Sequence, residues 1–375
     1  MSTSEQVVIE PGELERLIEA LARRHYRVVG PTVRDGAMVY EDIESAQDLP
    51  VGWSAEQSPA HYRLVKRKDE AVFAYAPGPH SWKKYLHPAD ACVFKAERRD
   101  NTLHILNNHS EPERPYAFIG MKACELAAIK IQDRVLLGDQ YRDPIYEGRR
   151  KQAFLVAVQC LHSGPTCFCA SMGVGPRVKD GFDVMLAEFN DDGHHRFLAR
   201  PGSERGVEVL SELHSTPASP DEIRKLEAGI EDASRQERRL DTEGLHDLLY
   251  RNFDHPRWNQ AAERCLTCGN CTMVCPTCFC TTVEDSTDVS GNHAERWRRW
   301  DSCFSMNFSY IHGGSIRTTA GARYRQWLTH KFAAWIDQFG TAGCVGCGRC
   351  IVWCPAAIDI TEEIKALQEK HNGKS

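Results

Sequence analysis

Cys265-Leu266-Thr267-Cys268-Gly269-Asn270-Cys271-Thr272-Met273-Val274-Cys275-Pro276 is the stretch that decides how this chain is read. Its cysteines stand in the pattern C-x2-C-x2-C-x3-C-P, which returns at Cys344, Cys347, Cys350 and Cys354, closed by Pro355. This is the ligand spacing of a protein that holds two [4Fe–4S] cubanes. Three cysteines at intervals of three residues wrap one cube, and the fourth is carried away by the chain to the other. The expected cages are Cys265, Cys268, Cys271 and Cys354 around one cluster, and Cys344, Cys347, Cys350 and Cys275 around its neighbour. One run alone fits chance or zinc, whereas two complete copies are specific. Zinc sites finish with four ligands in one unit and do not exchange a cysteine between runs.

The 68 residues from Pro276 to Gly343 separate the two runs, too many for a compact ferredoxin whose halves nearly abut. Helix is expected to fill part of this gap. Tyr324, Trp327, Leu328, Phe332, Trp335, Ile336 and Phe339 form an apolar stripe at helical spacing, and Gly340 is placed to cap its end. The C-terminal part therefore reads as an α-helical, ferredoxin-like dicluster domain with a helical insertion. Within it, residues 291–331 are basic, with a local net charge of +5 and interleaved tryptophans at 297, 300 and 327. That mixture superficially suits nucleic acid. Tuning of an anionic cluster, or docking of an acidic partner, explains it better.

Upstream lies an echo. Pro165-Thr166-Cys167-Phe168-Cys169 recurs as Pro276-Thr277-Cys278-Phe279-Cys280. In an extended segment, residues two apart face the same way. Each C-x-C can thus aim two thiolates at one metal while the phenylalanine packs behind. Residues 116–120 and 153–159 are apolar runs of strand formers around a helical segment, 125–137, and predict a parallel βαβ unit. Cys124 and Cys160 fall just past the two strands, at the carboxyl ends where such sheets bind ligands. Together with Cys167 and Cys169 they make a candidate third cluster. Cys124 has a rival reading as a nucleophile at a helix N-terminus, but no histidine stands in a recognised arrangement with it. Cys278, Cys280 and Cys303 are left between ligation of a further centre and packing around the others. Cys92 reads as a buried, unreactive thiol.

Composition sets the outer bounds. The chain has 375 residues, 42% hydrophobic and 26% charged, with a formal net charge of −6. That is the profile of a globular protein of two or three domains, and it argues against a nucleic-acid-binding surface. No apolar run approaches the roughly 18 residues of a membrane span. Residues 1–11 lack a signal-peptide h-region, and Arg23–Arg24 has no apolar run behind it. Sixteen cysteines without an export signal imply a reducing, cytoplasmic setting, where clustered cysteines serve metals. Neither dinucleotide nor P-loop glycine motifs are present. Residues 12–25 predict an amphipathic helix. Ser219-Pro220-Asp221-Glu222 predicts a capping box opening a charged helix through about residue 238. The polar stretch from residue 231 to 243 places the domain boundary near 240. The expected organisation is a mixed α/β domain over 1–240 with an additional iron–sulfur site, followed by the dicluster domain over 241–375.

Several segments together resemble a known family. They are Pro79–Leu86 (PHSWKKYL), Gly120–Leu126 (GMKACEL), Asp143–Tyr146 with Arg149–Arg150, Cys160–Pro176, Cys265–Cys280, Trp300–Cys303 and Arg323–Lys331, completed by the second cysteine run. The chain is similar over nearly its whole length to the β (iron–sulfur) subunits of cytosolic NAD(P)-linked [NiFe] hydrogenases, also called sulfhydrogenases. The A subunit of anaerobic sulfite reductase is a relative. The resemblance implies a non-catalytic electron-transfer subunit between a flavin-bearing, NAD(P)-binding diaphorase subunit and the hydrogenase small subunit. Nickel and flavin would then lie on other chains. Two other readings stand beside it: the wire of a sirohaem sulfite reductase, and a zinc-stabilised scaffold or nucleic-acid-binding protein.

Overall fold

The computed structural model describes residues 5–100, 102–106, 112–138, 141–191 and 194–371. The first four residues of the polar N-terminal segment thus lie outside the described residues. Four parallel strands form the middle of an eight-stranded sheet: Arg27–Arg34, Tyr116–Met121, Phe154–Val158 and Val184–Asp191. Antiparallel strands extend it on both sides. Ala37–Asp42 lies at one edge, and His194–Pro201, Val7–Ile9 and Thr216–Pro217 complete the other. The expected βαβ unit is there, with helices Ala123–Leu136 and Pro144–Gln152 between its two strands. Tyr116–Met121 and Phe154–Val158 are buried at every position. Central parallel strands are covered on both faces, which is why they read as unbroken apolar runs.

Alternation distributes these side chains to two cores. Ile119, Val156 and Phe197 pack on one face with Leu17 and Leu21 of helix Glu13–Arg23. Phe118, Leu155 and Leu198 pack on the other with Leu126, Ile129, Leu226 and Ile230. The Ser219 capping box forms as expected, with its hydroxyl accepting from the Glu222 amide and the Glu222 carboxylate accepting from the Ser219 amide at 2.7 Å. Its helix ends at Ser234, four residues earlier than the sequence suggests.

The C-terminal part differs from expectation in its insertion. Its insertion opens with a β-hairpin, Thr281–Thr287 and His293–Trp300. This hairpin pairs with strand Asp90–Arg99 to make a four-stranded sheet shared by the two halves of the chain. The charged alternation of this stretch is a ladder of cross-strand pairs: Arg296 to Asp285 at 2.6 Å, Arg299 to Glu284 at 2.9 Å. Helices follow. Ala320–Thr329 runs through a π turn, His330–Ala334, into Trp335–Phe339, and Gly340 closes it with φ +66°. The π turn re-aims the apolar stripe. Tyr324, Trp327, Leu328 and Phe332 enter the dicluster core beside Leu245, Trp258 and Ile364. Trp335 packs instead with Cys124, Ile131 and Val345. Ile336, expected in the stripe, is 40% exposed.

Candidate iron–sulfur site

The two cysteine runs adopt the same backbone shape. Thr267 and Gly346, each two residues after the first cysteine, have φ +51° and +63°; Gly269 and Gly348 have +75° and +73°. These left-handed turns point amides at sulfur. The Thr267 amide donates to Cys265 Sγ and the Gly346 amide to Cys344 Sγ, both at 3.4 Å. Short helices then carry the rest of each run, Asn270–Met273 and Arg349–Val352. The shape brings Cys354 beside the first triplet: Cys265, Cys268, Cys271 and Cys354 line one apolar cavity with Phe304, Tyr324 and Trp327. The Ile358 amide donates to Cys354 Sγ at 3.4 Å. Cys275 goes the other way, where its charge acts on Cys344 and Cys350.

Burial, followed by the neighbouring thiols, pushes Cys271 and Cys350 well above the ordinary thiol range. Packed together without counter-charge, such sulfurs resist ionisation, and bound iron would supply that charge. Among the described residues, no three His, Cys, Asp or Glu side chains converge closely enough to hold a single metal ion.

Cys275 has a different environment from the other seven. Lys331 sits in the π turn, 4% exposed, and donates from Nζ to Cys275 Sγ at 3.4 Å, Gly343 O at 2.6 Å and Cys278 Sγ at 3.7 Å. The Thr277 hydroxyl lies 3.1 Å from Cys275 Sγ. The neighbouring Cys278 thiol, the ammonium and the hydroxyl hold the Cys275 thiol well below its usual range. Of the basic residues over 291–331, Lys331 is the one whose hydrogen bonds reach cysteine sulfur. Arg298 pairs with Asp143, Arg323 donates to carbonyls of Arg317 and Thr318, and Arg325 to Phe253 O. Arg323 acts on Cys265 through its charge, without a hydrogen bond to it.

The upstream cysteines also meet. Cys124 opens the helix after strand Tyr116–Met121, and Cys160 follows strand Phe154–Val158. Cys167 and Cys169 come from the loop that follows; Cys169 acts electrostatically on Cys124 and Cys167, Cys160 acts on Cys167 and Cys169, and Cys347 acts on Cys124, Cys167 and Cys169. Burial comes first among the causes that push the Cys124 thiol up, the opposite of an activated nucleophile. Gln236 Nε2 donates to Cys169 Sγ at 3.2 Å. This set lies directly against the second run. The Phe168 amide donates to Gly346 O at 2.8 Å. A Cβ on Gly346 would stand 2.5 Å from the Phe168 carbonyl carbon, and one on Gly348 2.5 Å from Thr166 O. Beside this seam, Arg349 pairs with Glu125 at 2.5 Å, the two side chains 0% and 1% exposed. Tyr40 also donates to Glu125.

Cys278, Cys280 and Cys303 gather at the base of the hairpin, while Cys92, 3% exposed, donates only to Phe94 O. Sequence reasoning passed over Lys83, Gln236 and the Arg349–Glu125 pair. Lys83 and Glu125 stand inside quoted motifs, but nothing in a motif shows that a side chain is buried.

The family described as 4Fe-4S dicluster domain matches residues 264–358. The sulfhydrogenase 2 subunit beta of Pyrococcus furiosus is 32% identical over 353 residues, covering 92% of this chain and 93% of that protein. The chain belongs to the sulfhydrogenase β-subunit family. As a member it is an iron–sulfur, electron-transfer subunit of hydrogenase type, mixed α/β in structure with a C-terminal 4Fe-4S dicluster domain. No solved structure matches it. No helix among the described residues is long and apolar enough to cross a membrane.

Proposed function

We propose that this subunit relays electrons between a flavin-bearing, NAD(P)-binding diaphorase subunit and the small subunit of a [NiFe] hydrogenase, within a cytoplasmic hetero-oligomer. The reading is supported chiefly by Cys354 lining one cavity with Cys265, Cys268 and Cys271, and by the charge of Cys275 acting on Cys344 and Cys350. Cys265, Cys268, Cys271 and Cys354 hold one [4Fe–4S] cluster; Cys344, Cys347, Cys350 and Cys275 hold a second. Cys124, Cys160, Cys167 and Cys169 hold a third. In this reading residues 1–240 are a mixed α/β domain carrying the third centre, and 241–375 are the ferredoxin-like dicluster domain with its insertion.

Bound there, the clusters supply reversible one-electron chemistry. The chain does the rest. Amides of Thr267, Gly346 and Ile358 stabilise thiolate charge, Lys331 offsets the charge on Cys275, and Phe304, Tyr324 and Trp327 keep water from the first set. Sulfide-bridged iron needs deprotonated, paired thiolates, and every set offers four.

The test is Cys268→Ala in the anaerobically purified complex. Iron is expected to fall by about four per chain, the content of one cubane. Hydrogen-driven NAD(P) reduction should be lost, with viologen reduction at the nickel subunit retained. Unchanged iron with full coupling would overturn the assignment. A sirohaem partner in place of a nickel one would leave the relay standing and reassign its terminus.

A further inference from the structure

Four cysteines stand outside the twelve assigned above, and the fold collects three of them, leaving Cys92 apart. Cys278 and Cys280 precede hairpin strand Thr281–Thr287, and Cys303 follows strand His293–Trp300. Thr281 pairs opposite Trp300, and the Asp301 amide donates to Cys280 O at 2.9 Å. The hairpin base thus fixes Cys303 against Cys280, and the two thiols act strongly on each other. Cys278 and Cys275 do so likewise.

Two lysines are buried beside these sulfurs. Lys83 is 4% exposed, donates to Cys278 O at 3.0 Å, and holds its Nζ 3.9 Å from the centre of the Trp300 ring. Lys331 lies on the other side, 3.7 Å from Cys278 Sγ. The negative partners that act most on Lys83 are Cys278, Cys275 and Cys280; those of Lys331 are Cys275, Cys278, Cys344 and Cys350. No carboxylate is among them.

Burying an ammonium is costly unless opposite charge lies beside it. Among the other buried cations, Arg349 meets the rule with Glu125, whereas Lys122 donates to Phe73 O beside the Tyr75 ring and Arg323 donates to backbone carbonyls. Around Lys83 and Lys331 it is met by sulfur, and protonated thiols carry no charge to meet it. Thiolate-ligated iron–sulfur clusters do. Through Cys275 the second cluster answers Lys331 and part of the charge of Lys83; Cys278 and Cys280, which also act on Lys83, belong to neither assigned ferredoxin-type set. A separate anionic centre on these sulfurs would meet the rest.

We propose that Cys278, Cys280 and Cys303 ligate a further iron–sulfur cluster, held between Lys83 and Lys331, with one iron position completed by a ligand other than cysteine. The cluster sits between the two ferredoxin-type sets, since Cys278 abuts Cys275 and the charge of Cys271 acts on Cys303. The P-T-C-F-C echo thereby gains a physical sense, with each copy presenting its C-x-C pair to a centre of its own.

The proposal rests on the cluster reading above, and its test separates the two. The complex is purified anaerobically as wild type, as the Cys280→Ser/Cys303→Ser double variant, and as Cys268→Ala. The double variant is expected to lose about two to four iron atoms per chain, the content of one cluster, and one electron-paramagnetic signal, while the signals that Cys268→Ala removes persist. In the native wild type, Cys278, Cys280 and Cys303 should resist alkylation until iron is chelated, a reading that holds even if the double variant fails to fold. Free alkylation of Cys280 and Cys303 in the iron-replete wild type would overturn the proposal. So would a Cys280–Cys303 disulfide in its peptide map, or a double variant with full iron. Iron left unchanged by Cys268→Ala would instead count against the ferredoxin-run assignment.

Discussion

Replacing Lys331 with methionine tests how this chain sets a reduction potential. The ammonium lies 3.4 Å from Cys275 Sγ and is 4% exposed, so its charge is poorly screened by solvent. At an effective dielectric constant of about 20, a full unit charge at that separation interacts by about 5 kcal/mol. The electron that reduces a cubane is spread over the cluster and its sulfurs. If about a quarter of it resides at this corner, the reduced form loses about 1.2 kcal/mol of stabilisation. For a one-electron couple this is a fall of about 50 mV in midpoint potential. A redox titration of the anaerobic complex, followed by electron paramagnetic resonance, reads the shift cluster by cluster. Lys331→Arg should restore most of it, and Lys331→Gln, which keeps a donor for Gly343 O, should not. A midpoint unmoved in Lys331→Met, with iron content intact, would refute the electrostatic argument.

Other expectations follow from burial and backbone geometry. Arg349→Met alone leaves the Glu125 carboxylate buried and unpaired, and should destabilise by about 3–5 kcal/mol in anaerobic denaturant titration; the Arg349→Met/Glu125→Leu pair should cost far less. Gly346→Ala places a Cβ 2.5 Å from the Phe168 carbonyl carbon at φ +63° and should cost more than the ~1–2 kcal/mol of the left-handed backbone alone. Gly173→Ala, at φ +68° in open space, should cost no more than that backbone term. His87 is 1% exposed, and burial first, with Arg298 and Lys83 adding, lowers its pKa to about 3. Its contribution to stability is therefore present above the ordinary histidine pKa of about 6.5 and fades as pH falls from there toward the lowered value. His87→Leu should flatten the acid limb of a stability–pH curve; an unchanged limb would show that other groups govern it.

The most legible parts of this chain were those encoded over short spans. The cysteine runs, the capping box at Ser219, the glycine cap at Gly340 and the two buried strands around helix Ala123–Leu136 each carry their signal within a few residues. Hairpin Thr281–Trp300 did not announce itself, because its partner strand Asp90–Arg99 lies far upstream. The π turn at His330–Ala334 was hidden in a stripe that reads as one helix. Lys83 sits in a motif readable from sequence, yet its role depends on Cys278 and Trp300 closing around it, and those contacts are tertiary.

Cys124 and Glu125 are consecutive, as are Arg349 and Cys350, so each member of the buried ion pair is bonded directly to a residue that carries a sulfur. That arrangement works as a ruler. Electron tunnelling falls off exponentially with separation, and a hinge at this seam would have to tear the pair apart before it lengthened the jump. With the third cluster proposed above in place, traffic between the upstream sulfurs and the second cysteine run would have no mechanical gate at this seam.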